Sequence, residues 1–337
     1  MHTREKLICN LALAAGIAFS QGRPSSLPQR TKMVALNVVA FDGHGDPAVD
    51  LRSEEFQVFD QGKSESITAF RRDEDVPQLA VPLADGASTR SGAKLPAMVI
   101  LFDLLNANLS NRGYGADEIV HSLEHLESSE SVYLYLLTNS GSLYPVHALP
   151  AAEADAGGAK TPWTRQIRPL LDAAMNNVYG LKPVDETLVN LRIEATYSAF
   201  EMLASRMASI PGRKNIVWIT RGIPATGRLI GEPYDYSRRL QRLATALDKV
   251  GITVNSVNEG GVTGDAIYTF DQFAELTGGT VSTDFAKTIS EAMNASRSSY
   301  LIQYAAPPPD GKYHKIRVTC SRQGIRIQTK QGYYANP

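Results

Sequence analysis

The feature that most constrains this chain is the run Ala97-Met98-Val99-Ile100-Leu101-Phe102, which ends on Asp103 and continues into Leu104-Leu105-Asn106-Ala107-Asn108. Six consecutive apolar residues suit a strand covered on both faces, as in a parallel sheet flanked by helices. A strand that carries a carboxylate to a loop before a helix is how open α/β sheets build sites at their carboxyl edge. The surrounding pattern agrees. Strands are expected at 97–102, 131–137, 143–147, 215–219 and 252–257 and near 280–282. Helices are expected at about 112–127, 165–178, 188–209, 234–250, 270–277 and 285–295, so strands and helices alternate.

Period-two patterning flanks this α/β segment. Val34, Leu36, Val38 and Ala40 alternate with their neighbours, Asp42 to Pro47 forms a turn, and 56–59 and 66–71 read as strands around a Gln61-Gly62-Lys63 turn. After Ser296 the strands 300–304, 314–319 and 325–329 follow. Neither set has enough strands to bury two faces alone, so they are expected to pair with each other. The expected organisation is a signal peptide at 1–22, a linker at 23–33, the first part of a β-domain at 34–72 and a linker at 73–94. An α/β domain at 95–297 and the second part of the β-domain at 298–337 complete it.

The opening residues carry the export expectation. Arg4 and Lys6 precede a mostly apolar run, Leu7 to Phe19, with small or polar residues from Ser20. That run is shorter than the ~20 residues a bilayer span takes. The chain is therefore expected to be exported, to a periplasmic or extracellular location, and to meet the membrane only through this signal. Cys9 lies within the signal, which leaves Cys320 alone in an alternating strand and excludes an internal disulfide in the mature chain.

The formal net charge of −1 argues against a global drive toward nucleic acid. The expected partner is a protein or a cell-envelope component.

The order of elements resembles the von Willebrand factor A domain, and more closely the bacterial VWFA-related family. The resemblance is carried by Val34–Phe59 with its Glu54-Glu55-Phe56-Gln57-Val58-Phe59 run, by Phe102-Asp103-Leu104-Leu105-Asn106, and by Ile210-Pro211-Gly212-Arg213-Lys214-Asn215-Ile216-Val217-Trp218. Ser298 to Tyr304, Asp310 to Ile316 and Gly332-Tyr333-Tyr334 also carry it. It implies a Rossmann-like sheet with helices on both faces, set in a small β-sandwich-like domain, and a role in protein contacts rather than catalysis.

It also implies a site for Mg²⁺ held by Asp-x-Ser-x-Ser, a Thr and a second Asp, since a hard cation requires oxygen ligands. Asp103 fits this pattern and Thr187 is a match on the second loop, but the serines become Leu105 and Ala107 and the second aspartate becomes Arg221. Two readings stand. In one, Arg221 pairs with Asp103 in place of an ion, and the site is structural with no cofactor. In the other, Asn106 and Asn108 supply oxygens and Asp185 or Glu186 completes a weak Mg²⁺ or Ca²⁺ site.

His121-Ser122-Leu123-Glu124-His125 spells the H-x-x-E-H of a class of zinc proteases. On a helix, however, His121 and His125 fall opposite Ile119, Val120, Leu123 and Leu126, on what reads as the solvent face. Trp218 is expected in the core, and Trp163 is a candidate for an exposed contact. The functional expectation is an exported, non-enzymatic protein-binding module of adhesion type with a degenerate metal site. Its contact surface would be the edge formed by Asp103, Asn106, Asn108, Thr187, Arg221 and the loop at 223–231. The alternatives are a zinc-dependent hydrolase using His121, Glu124 and His125, and an architectural envelope protein without a ligand.

Overall fold

A computed structural model describes residues 32–72, 97–106, 120–121, 132–138, 140–147, 168–169, 186–229, 232–258 and 264–336. In chain order the strands are β1 (Met33–Phe41), β2 (Phe56–Asp60), β3 (Lys63–Glu65), β4 (Ile67–Arg72), β5 (Met98–Asp103), β6 (Val132–Leu137) and β7 (Leu143–His147). Helix α1 (Glu186–Met207) leads to β8 (Lys214–Thr220), β9 (Thr226–Leu229) and β10 (Glu232–Asp235). Then come α2 (Ser237–Lys249), β11 (Ile252–Asn258), α3 (Asp265–Thr277), β12 (Val281–Ser282) and α4 (Phe285–Arg297). The chain ends with β13 (Ser299–Ala305), β14 (Tyr313–Cys320), β15 (Arg326–Gln328) and β16 (Gly332–Tyr334).

These strands form four sheets. One is six-stranded, in the order β12-β11-β8-β5-β6-β7. Two are four-stranded, β15-β1-β13-β4 and β16-β14-β2-β3, and β9 with β10 makes a two-stranded ribbon. All pairings in the four-stranded sheets and the ribbon are antiparallel, and β7 runs antiparallel to β6.

The expected fold class, a Rossmann-like von Willebrand A-type sheet with helices on both faces, inserted in a small β-sandwich-like domain formed by the N- and C-terminal strands, is therefore corrected. The chain is β-rich, and most of its strands lie in antiparallel sheets. The physical reason is the alternation along β2, β14 and the first part of β1 (Met33–Val38), where every second residue is buried and the others are more exposed, a pattern that suits antiparallel sheets with one wet face.

Three apolar layers hold these sheets. On one face of the six-stranded sheet, Val99, Leu101, Ile216, Trp218 and Val254 meet Tyr197, Phe200 and Leu203 of α1, Leu240, Leu243 and Leu247 of α2, and Phe270 and Phe273 of α3. The α2 residues recur at three- and four-residue spacing, so a single stripe of that helix is buried. On the other face, Phe102, Leu134, Val217 and Ile219 pack against Phe285, Ile289 and Ala292 of α4. The third layer lies between the four-stranded sheets, where Leu36, Val38, Tyr300 and Ile302 meet Phe56, Val58, Ile316 and Val318.

Local sequence sets the helix ends. Asp284 caps α4 by accepting the Lys287 backbone N–H at 2.9 Å. Gly278 ends α3 at φ 78, a left-handed conformation that favours glycine, and returns its N–H to the Ala274 carbonyl.

Candidate functional site at the carboxyl edge of the six-stranded sheet

Asp103 closes β5, an inner strand lying between β8 and β6, and has no exposed surface. Its Oδ1 accepts the backbone N–H of Asn106 at 3.0 Å. Its Oδ2 accepts from Asn106 Nδ2 at 2.8 Å, Thr220 Oγ1 at 2.9 Å and Trp218 Nε1 at 3.1 Å. Burial raises the Asp103 carboxyl above its ordinary value, and the donors from Asn106, Thr220 and Trp218 pull it back down.

The network extends to α1. Asn106 Nδ2 also reaches Thr196 Oγ1 at 2.9 Å, Asn106 Oδ1 accepts from Arg192 Nε at 3.1 Å, and Thr196 Oγ1 donates to the Arg192 carbonyl. Burial lowers the Arg192 pKa, and the nearby Asp103 charge pushes it back up. Arg192 is thus a cation electrostatically coupled to Asp103, one residue removed through Asn106.

Arg221, expected to pair with Asp103, follows β8 and is half-buried. Trp218 and Thr220 occupy the carboxylate because both side chains of β8 point to the face where β5 delivers it. Asn106 is buried beside Asp103, whereas Asn108 lies outside the described residues. Thr187 falls in the first turn of α1, and its side chain is outside the described set.

The donor set does not fit a hard cation. Asp103 Oδ2 already accepts three protein donors, the carboxylate faces no solvent, and the adjoining charge is a guanidinium. Among the described residues no group of three His, Cys, Asp or Glu side chains gathers at metal-binding distance. His121 is an exposed helical residue next to buried Val120, while Glu124, His125 and Trp163 lie outside the described residues. Arg192, Thr196 and Thr220 were not singled out from the sequence. The only signal for the first two was their i, i+4 spacing on a predicted helix.

The same edge also gathers exposed apolar side chains. Leu191, beside Arg192 on α1, is 59% exposed. The β9–β10 ribbon follows Ala225, whose carbonyl accepts the Tyr236 N–H, and Tyr234 of the ribbon is 43% exposed with its ring 4.5 Å from that of Tyr236. Helix α3 starts beside the same loop. Thr269 Oγ1 donates to the Ile223 carbonyl, and a methyl on Gly222 would meet Phe270 and Ala266. Ile267 and Tyr268, in the first turns of α3, are exposed as well.

No protein-family model matches the chain, and no curated protein matches it either. Among solved structures, the PilB minor pilin from Streptococcus sanguinis is 14% identical, with a TM-score of 0.34, over 62% of this chain and 62% of its own. The pilus adhesin SpaC from Lactobacillus rhamnosus GG, in its open conformation, is 9% identical, with a TM-score of 0.36, over 73% of this chain and 38% of the adhesin. The three N-terminal domains of the type V pili tip protein Mfa5 from Porphyromonas gingivalis are 9% identical, with a TM-score of 0.38, over 90% of this chain and 69% of that one. The chain thus spans about 62% of the length of the pilin it matches. The expected membership of the VWFA-related family is corrected, because no family model supports it.

Proposed function

We propose that this chain is an exported, non-enzymatic protein-binding module of adhesion type, which meets a protein or cell-envelope partner through the carboxyl edge of its six-stranded sheet. One observation carries the reading. Leu191 of α1, Tyr234 of the β9–β10 ribbon and Ile267 and Tyr268 of α3 are exposed, while the strand-end carboxylate is buried and accepts four protein hydrogen bonds. A reacting centre needs groups free to touch a substrate. A contact surface needs exposed apolar and aromatic anchors on a rigid base, and this edge has them. Asp103 and Asn106 act from beneath as the base, and Arg221 is half-buried at the end of β8. The basic and apolar opening of the sequence supports export.

The test compares the mature chain with a Tyr234→Ser/Ile267→Ser variant and with Arg221→Ala in capture from a native envelope extract. Both variants are expected to keep the parent melting temperature within a degree or so and to lose captured partner, the double variant by about tenfold or more. Equal capture by all three proteins refutes the proposed edge. Calorimetric titration with Mg²⁺ and Ca²⁺ is expected to show no binding heat at millimolar metal. A one-site isotherm that vanishes in Asp103→Ala would return the site to metal binding.

A further inference from the structure

The antiparallel sheets hold a second buried charged cluster, remote from the edge described above. Asp60 closes β2 and is 3% exposed. Its Oδ2 accepts the hydroxyls of Tyr304 on β13 at 2.8 Å and Tyr333 on β16 at 2.9 Å. Its Oδ1 lies 2.9 Å from Nδ1 of His314, a buried residue of β14. The other ring nitrogen, Nε2, lies 3.2 Å from Oδ1 of Asp310 in the turn between β13 and β14.

Each ring nitrogen therefore faces a carboxylate oxygen. An ionised carboxylate only accepts, so both nitrogens must carry hydrogen for both contacts to be hydrogen bonds, and only the imidazolium does that. A neutral ring keeps one bond and sets a lone pair against the other carboxylate. The phenols beside the ring are not its proton source. Tyr304 and Tyr333 already donate to Asp60, and burial followed by that bond raises both phenols further from ionising. Asp310 is held below the usual carboxylate range, first by the Lys312 backbone N–H and also by His314, so it stays charged at neutral pH. Lys312 is a further charge beside Asp310. Lys63, opposite Asp60 in the β2–β3 register, extends into solvent next to Glu65.

We propose that His314 is a proton-dependent clasp. Its doubly protonated ring fastens the Asp310 turn to the buried Asp60, and loss of the Nε2 proton releases that turn. Nε2 is the proton lost, because Asp310 is half-exposed while Asp60 lies in the interior. The fastened form is the doubly protonated ring, and a ring with one proton keeps only one of the two carboxylate bonds. Release reaches the C-terminal residues, because the Gly311 N–H donates to the Ala335 carbonyl and the Ala335 N–H returns to Lys312.

The test uses the full chain with ¹⁵N-labelled histidine and amide exchange corrected for the intrinsic pH dependence. At about pH 5.5 both ring nitrogens of His314 are expected at protonated shifts, with Gly311 and Ala335 protected. As the ring titrates, protection at these two amides falls about fivefold while that of Leu36 in β1 holds. Asp310→Asn, on the exposed side of the clasp, is expected to fold and to lose the pH step, and His314→Gln assigns the resonance. A ring with a single proton across the whole range, or an undiminished step in Asp310→Asn, overturns the proposal.

Discussion

Asp103 illustrates at the scale of one residue how a carboxylate becomes structural. Four hydrogen bonds converge on it inside the protein, and three donors on Oδ2 would lose their acceptor together. Asp103→Ala is expected to cost about 3 kcal/mol or more in urea unfolding, because the donors are left unpaired in a dry site. Asp103→Asn keeps the volume but turns an amide against donors, for a cost of about 1–3 kcal/mol. The pH dependence has a definite sign. The folded carboxyl lies above its ordinary value, so its contribution is present below that ordinary value and declines as pH rises through the folded one. Unfolding of the Asn variant should lack this decline, and identical pH profiles for variant and parent would contradict the assignment.

At the scale of elements, the segment between β15 and β16 ties the antiparallel sheets to the helices. Lys330 Nζ reaches Asp248 Oδ2 of α2 at 2.6 Å, the Gln331 N–H donates to the Glu275 carbonyl of α3, and Gln328 Nε2 donates to the Gly278 carbonyl. Burial raises the Asp248 carboxyl, and Lys330 opposes that rise. Lys330→Met is expected to cost about 3–5 kcal/mol by stranding a buried carboxylate, whereas Lys330→Met with Asp248→Leu costs clearly less than the two single changes added. Strict additivity would show that the pair is uncoupled. The elements themselves were unevenly legible. The apolar run of β5 and the stripe of α2 speak locally. The sequence placed a helix over 234–250, but it begins at Ser237, because Glu232 to Asp235 pairs with Thr226 to Leu229 instead. Neither segment alternates, and Pro233 and Gly227 weaken any strand signal. The strand carrying Asp103 was readable, but its partners Arg192 and Thr196 lie some ninety residues on, and only the fold brings them together. Pairing of the opening and closing strands was expected, but the register that sets Met33 opposite Ala305 is one that no local pattern encodes.

On the scale of the whole molecule, β1 lies between β13 and β15, so the first described strand is held on both sides by strands more than 250 residues later. Its outer residues Val39 and Phe41 pack with Ala295 of α4, a helix that also covers the six-stranded sheet. Buried Asn215 of β8 donates to the Ala292 carbonyl of the same helix, so α4 is fixed to both layers. A helix shared in this way leaves neither layer able to melt without exposing apolar surface of the other, and the Lys330–Asp248 pair adds a second tie. The described part of the chain should therefore unfold in one cooperative transition, with calorimetric and van't Hoff enthalpies in agreement. Lys330→Met should lower that single transition as a whole rather than split it. Two resolved transitions in the parent protein, or one that divides when Lys330 is replaced, would mean that the antiparallel sheets and the six-stranded sheet are independent units. In that case the pH response of the His314 clasp could not extend beyond the antiparallel sheets.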